Sequence, residues 1–139
     1  MATVGSLLRK FQALDTDQVA VQAIENSKEL MADLNAEQIN SGLRSDGTLM
    51  PDYSIRSVVQ YGKPYGPIRL RDTGAWQQGM YVTVQGDNVV FSSTDSKDRH
   101  LVDKYGTQIQ GLSDKYKNEA IRESIRPSFM RQIKEQTGL

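Results

Sequence analysis

Any chemistry in this chain falls to carboxylates, hydroxyls, amides and a single imidazole, because it contains no cysteine and one histidine. Thiolate nucleophiles, disulfides and Cys-ligated zinc or iron-sulfur centres are excluded, and so are sites built on a pair of histidines. The sharpest catalytic candidate is Asp72, in the run Asp72-Thr73-Gly74-Ala75. An aspartate on such a turn, set against its twin across a dimer, would share one proton with it and supply both the acid and the base for peptide hydrolysis. That chemistry needs the loop enclosed by apolar strands, whereas Arg69-Leu70-Arg71 precedes it here. The same residues read more simply as an Asp or Thr cap opening a short helical turn through Trp76. His100 lies in the charged run Lys97-Asp98-Arg99-His100 and reads as an exposed side chain. Asp95, Asp98 and Asp103 lack calcium-loop spacing, and no glycine-rich phosphate loop occurs, so neither a metal nor a cofactor is expected.

The elements that must position these groups follow from periodicity. Leu7, Leu8, Phe11 and Leu14 share one face of a short helix, which Asp15-Thr16-Asp17 interrupts. Thr16 or Asp17 caps a second and longest helix, with Ala20, Ile24, Met31 and Leu34 on one stripe, running to about Leu34. Asn35 followed by Gln38 has the form of a capping box, which predicts a further short turn through Ile39 before Gly42 stops it. From Leu43 to Pro67 turn chemistry dominates, with Ser45-Asp46-Gly47, Met50-Pro51-Asp52 and Gly62-Lys63-Pro64 in succession. This predicts a long irregular arm in which Ile55, Val58 and Val59 form at most a short strand or turn. Its Tyr53, Tyr61 and Tyr65 offer apolar area at little entropic cost, which suits adhesion to a neighbouring protein.

Met80-Tyr81-Val82-Thr83-Val84 and Val89-Val90-Phe91-Ser92-Ser93 predict a hairpin turning at Gly86-Asp87-Asn88. Strand alternation puts Met80, Val82 and Val84 on the core side and Tyr81 and Thr83 on the other. Thr94 or Asp95 then caps a helix ending near Tyr105 at Gly106. Ser113 caps another that carries Tyr116, Ala120, Ile121 and Ile125 until Arg126-Pro127 breaks it and restarts a final helix with Phe129, Met130 and Ile133. Arg122, Arg126, Arg131 and Lys134 are interspersed with Glu119, Glu123 and Glu135, the pattern of a solvated helix with i,i+4 pairs. Trp76, the one tryptophan, reads as a core or subunit-interface residue. The expected fold class is α+β: N-terminal helices, a long irregular arm, a small antiparallel sheet with a hairpin, and C-terminal helices.

The 139 residues fit one domain, with residues 43–67 as its extended loop or arm. Seventeen basic residues balance seventeen acidic ones, which argues against a protein held on nucleic acid by bulk charge. No apolar run approaches the roughly 20 residues that span a bilayer. Met1-Ala2-Thr3-Val4-Gly5 lacks the basic and apolar regions of a secretory signal, so a soluble protein made in the cytoplasm is expected.

The segment Ile68-Arg69-Leu70-Arg71-Asp72-Thr73-Gly74-Ala75-Trp76, a hairpin, then Tyr105-Gly106-Thr107-Gln108, then Arg126-Pro127-Ser128-Phe129 form an ordered series. The series resembles the small head-tail connector and tail-completion (neck) proteins of tailed bacteriophages. Those families have a Thr-Gly-x-Leu-type turn after an N-terminal helix, a β-hairpin, a Gly-Thr element and a closing Pro-Phe helix. The resemblance spans residues 68–133, and Trp76 stands where a leucine is usual. It implies a structural, non-enzymatic virion protein, assembled in the host cytoplasm, that forms a homo-oligomeric ring at the neck or upper tail. Its partners would be further copies of itself, portal or connector proteins and tail-tube proteins, with no membrane, no sequence-specific nucleic acid, and DNA passing through the ring. Candidate interface residues are Tyr53, Tyr61, Tyr65, Trp76 and Tyr81. The rival readings are a dimeric aspartic-type protease using Asp72 and a small protein-binding adaptor.

Overall fold

A computed structural model describes residues 16–71, 74–85 and 88–138. The expected helix over Leu7–Leu14, and Asp72, Thr73, Gly86 and Asp87, lie outside the described residues. The expected α+β architecture is present. Helices α1 (Thr16–Glu25) and α2 (Lys28–Asn40) lead into a short α3 (Ile55–Tyr61) and a single turn α4 (Ala75–Gln78). A hairpin of β1 (Met80–Gln85) and β2 (Asn88–Ser93) follows, then α5 (Asp98–Tyr105), α6 (Asp114–Ala120) and α7 (Arg126–Thr137).

The long helix expected from Thr16 to Leu34 is two helices. Chain polarity at Asn26-Ser27 explains the break. Ser27 Oγ donates back to the Ala23 carbonyl at 2.8 Å and lies 2.7 Å from Ser124 Oγ, while Asn26 Nδ2 donates to Ser128 Oγ at 3.1 Å. These bonds fix α1 against α7 at the place where the helix axis is interrupted. Helix α2 then runs without interruption through Asn35 and Gln38, which corrects the expected capping box. Both amides are fully buried and reach across the fold, not along their own helix.

Their partners are the backbone of residues 109–113. Asn35 Nδ2 donates to the Ile109 carbonyl at 3.1 Å, and the Gly111 N–H donates to Asn35 Oδ1 at 2.8 Å. Gln38 Nε2 donates to the Gly111 carbonyl at 3.0 Å and accepts from the Ser113 N–H on Oε1 at 2.7 Å. Residues three apart on a helix share a face, so the two amides form a short polar rail that pairs with an irregular segment much as a strand would. The helix ends as expected at Gly42, whose φ of 76° suits a residue without a Cβ.

The hairpin keeps the expected strands, each longer by one residue, and pairs Val82 with Phe91 and Gln85 with Asn88, so Asn88 belongs to the strand and not to the turn. Met80 and Val82 are buried, Tyr81 is exposed, and Thr83 and Val84 are half-buried. The buried side packs on α2 and joins Met31, Leu34, Ile39, Trp76, Ile109 and Tyr116 in one core cluster.

Helix α5 starts at Asp98, later than the Thr94 or Asp95 cap predicts, and ends at Gly106 as expected. Pro127 does not break the C-terminal helix either. The five residues Ile121–Ile125 are wound as a π turn between α6 and α7. A proline in a regular helix clashes with the carbonyl four residues back, here that of Glu123. Widening that turn admits the ring and keeps the rod continuous.

The segment from Leu43 to Pro67 departs most from expectation. It is tied back to the body at both ends: Met50 N–H donates to the Gly42 carbonyl at 2.7 Å, Ile68 N–H to the Pro51 carbonyl at 2.9 Å, and Asp52 bridges to Pro67. Met50 enters the core. In the turn before it, Asp46 Oδ1 accepts from the side chain and backbone N–H of Thr48, which hold its carboxyl below the ordinary carboxylate value.

Within the segment, Ile55, Val58 and Val59 form helix α3 and not the expected strand or turn. Its start is capped by Ser54 Oγ, which accepts from the Ser57 N–H at 3.1 Å, and its end by Gly62 in the left-handed conformation.

Candidate protein-interaction site

Helix α3 buries none of its residues. Most helical stability in proteins comes from packing an apolar face, and an isolated helix of this length is marginal in water. Yet Ile55 is 81% exposed and Val59 75%, with Tyr61 at 67% and Tyr65 at 85% nearby in the chain. Caps at both ends and a loop closed by Pro67 hold these side chains outward without a covering layer. Ile55 and Val59, one turn apart, share a face of the helix, with Tyr61 round its other side, and large apolar groups held outward in this way are the usual mark of a segment that meets another protein.

The five candidate interface residues divide in the structure. Tyr61 and Tyr65 project into solvent, and Tyr81 is exposed on the outer side of the hairpin. Tyr53 is half-buried and fastens the loop to its own body: its hydroxyl accepts from the Arg69 N–H at 3.1 Å, and its N–H donates to the Gly66 carbonyl at 3.0 Å. The Lys63 ammonium stands 6.0 Å from the Tyr53 ring centre. Trp76 is 3% exposed and belongs to the core.

Asp98 is what holds Trp76 in place. Its Oδ1 accepts from Trp76 Nε1 at 2.9 Å and from Gln110 Nε2 at 2.5 Å, and Ser92 Oγ lies 3.4 Å from Oδ2. One carboxylate thereby joins α4, β2, α5 and the segment before α6. Ser93 Oγ adds a bond to the Trp76 carbonyl at 2.8 Å. In the sequence, Asp98 is one charge in a charged run, and only the absence of any other partner for a buried indole could have singled it out. Trp76→Phe should keep most of the packing and lose the indole bond, and is expected to cost about 1–2 kcal/mol by urea unfolding. A neutral outcome would remove Asp98 from this role.

The expected short helical turn at Trp76 spans Ala75–Gln78, and Gly74, at a φ of 82°, takes its N-cap position in place of the expected Asp72 or Thr73, which lie outside the described residues. His100 is exposed. Arg122, Arg126, Arg131 and Lys134 lie on the outer surface of the C-terminal rod. Among the described residues no cluster of three or more His, Asp or Glu is arranged to hold a metal ion, and no helix is long and apolar enough to cross a membrane.

Beside the exposed loop lies a cleft of about 250 Å³, between the chain leading into α4 and helix α5. Leu70, Trp76, Leu101 and Tyr105 wall it, and Lys63 and Arg71 stand at its margin. Comparison of the chain with protein-family models, with curated proteins and with solved structures finds no match in any of the three.

Proposed function

We propose that the chain is a structural virion protein of a tailed bacteriophage, forming a homo-oligomeric ring at the neck or upper tail that joins the head connector to the tail. The observation that carries this reading is the outward display of Ile55, Val59, Tyr61 and Tyr65 on a loop whose ends are fixed to the body. A rigidly held apolar surface loses little entropy when a neighbour covers it, which is what assembly through repeated contacts requires. The ordered series from Ile68 to Phe129 supports the same class of protein. In this reading the neighbours are further copies of the chain, portal or connector proteins and tail-tube proteins, and DNA passes through the ring unread.

Native mass spectrometry over a wide concentration range tests the reading. A closed ring of one fixed stoichiometry is the expected result. A chain that stays monomeric, alone and with portal or tail-tube proteins, would sink it. A one-to-one complex with some other protein and no ring would favour an adaptor.

A further inference from the structure

A ring needs each subunit to grip the next, and this chain carries both a projecting group and a recess. The projecting group is Tyr65, the most exposed of the large apolar residues described. It stands between Pro64 and Pro67, on a turn held by the Tyr53–Gly66 hydrogen bond and the Asp52–Pro67 bridge. Proline restricts the backbone, so the ring is presented with little conformational freedom to lose.

The recess is the cleft walled by Leu70, Trp76, Leu101 and Tyr105. Two unfavourable features meet in its lining. Leu70 has a φ of 52°, the only positive value among the described non-glycine residues. Asp95 carries a buried Oδ2 with no hydrogen-bond partner. Strained backbone and unsatisfied buried polar atoms concentrate where a structure is completed by something else. The lining suits an aromatic guest, with the apolar and aromatic side chains of Leu70, Trp76, Leu101 and Tyr105 for its faces and Arg71 among the lining residues.

We propose that Tyr65 of one copy seats in this cleft of the next, making a head-to-tail contact; the inference rests on the ring reading above. Tyr65 does not fill its own cleft, because it is 85% exposed, although Lys63 two residues before it reaches the margin. Knob and recess are thus different patches of one chain, although Tyr53 and Lys63 of the same loop line the recess, and a contact between unlike patches repeats from copy to copy, making a ring where the rotation closes. A second copy is the favoured occupant because the chain itself supplies a rigid aromatic group of the chemistry that the cleft accepts.

The test uses sedimentation velocity of the full chain. Tyr65→Ser is expected to weaken self-association by roughly thirtyfold or more, the loss typical of a central aromatic anchor, and Tyr65→Phe to retain most of it. Leu101→Arg should block the recess; if circular dichroism shows that it has not folded, the exposed Arg71→Glu replaces it. The two defective chains should each be monomeric alone, and mixing Tyr65→Ser, with its recess intact, and the recess variant, with its knob intact, should restore a one-to-one dimer. Wild-type assembly by Tyr65→Ser, or a mixture that stays monomeric, would overturn this inference and leave the ring reading standing. A wild-type chain that never associates would overturn both.

Discussion

Gln38→Leu is expected to lower the unfolding free energy by about 2–4 kcal/mol, because it strands the buried Ser113 N–H at about 1–3 kcal/mol and removes the bond to the half-buried Gly111 carbonyl at about 1 kcal/mol. Leucine fills nearly the same volume, so packing changes little, while the Gly111 carbonyl and the Ser113 N–H lose the side chain that satisfies them. The Ser113 N–H gains no access to water, since Gln38 is fully buried and Ser113 nearly so, while the Gly111 carbonyl is half-buried. Against a total stability of about 5–15 kcal/mol for a domain of this kind, such a loss is large. The midpoint of urea unfolding should fall sharply with little change in slope. Glu37→Ala, one position away on the exposed side of the same helix, should stay within about 0.5 kcal/mol of wild type. A Gln38→Leu protein as stable as the Glu37→Ala control would show that the amide rail does not hold residues 109–113 in place.

The second large effect is expected in the hairpin. Val82→Asp puts a carboxylate against α2 and the core cluster, and should cost more than about 4 kcal/mol, the range reached when an unpaired charge is buried. A two-stranded sheet is marginal alone and depends on that packing. Thr83→Asp, one residue on, points to the other side and should leave the fold intact, changing stability by about 1 kcal/mol or less. Circular dichroism melts of the two variants side by side provide the comparison. Equal tolerance of both would mean that the hairpin does not present its Met80 and Val82 side to the core.

The contrast between these two sites explains what could be read in advance. Val82 was legible because strand alternation is local: its neighbours in the chain already say which side it faces. Gly42 and Gly106 were legible as helix ends for the same reason. Gln38 was not, because Asn35 and Gln38 have a spacing that also fits a local cap, while their partners lie more than 70 positions along the chain. The helix at Ile55–Tyr61 shows a different difficulty. Its β-branched residues and nearby prolines argue for extended or irregular chain, yet Ser54 and Gly62 are ordinary start and stop signals, and the caps prevailed. Of the candidate interface, Tyr61, Tyr65 and Tyr81 could be chosen as amphipathic surface groups. The cleft that receives Tyr65 in our proposal could not, since its lining is drawn from the loop at Tyr53 and Lys63, from Leu70 and Trp76, and from Leu101 and Tyr105, and no sequence pattern announces the strained backbone of Leu70.

The clamp where Pro67 meets the end of α2 bears on how such a protein could diversify. A Cβ added at Gly42 would come within 2.5 Å of the Pro67 Cβ, so the chain returns from its excursion almost to the point from which it left. A loop whose ends already meet can be lengthened or replaced at small entropic expense, about 0.6 kcal/mol for each doubling of its length. Residues 54–65, enclosed by the Tyr53–Gly66 hydrogen bond that closes the loop, therefore form an exchangeable cassette: new recognition groups grafted there would alter the choice of neighbour while leaving the interior that folds the subunit untouched.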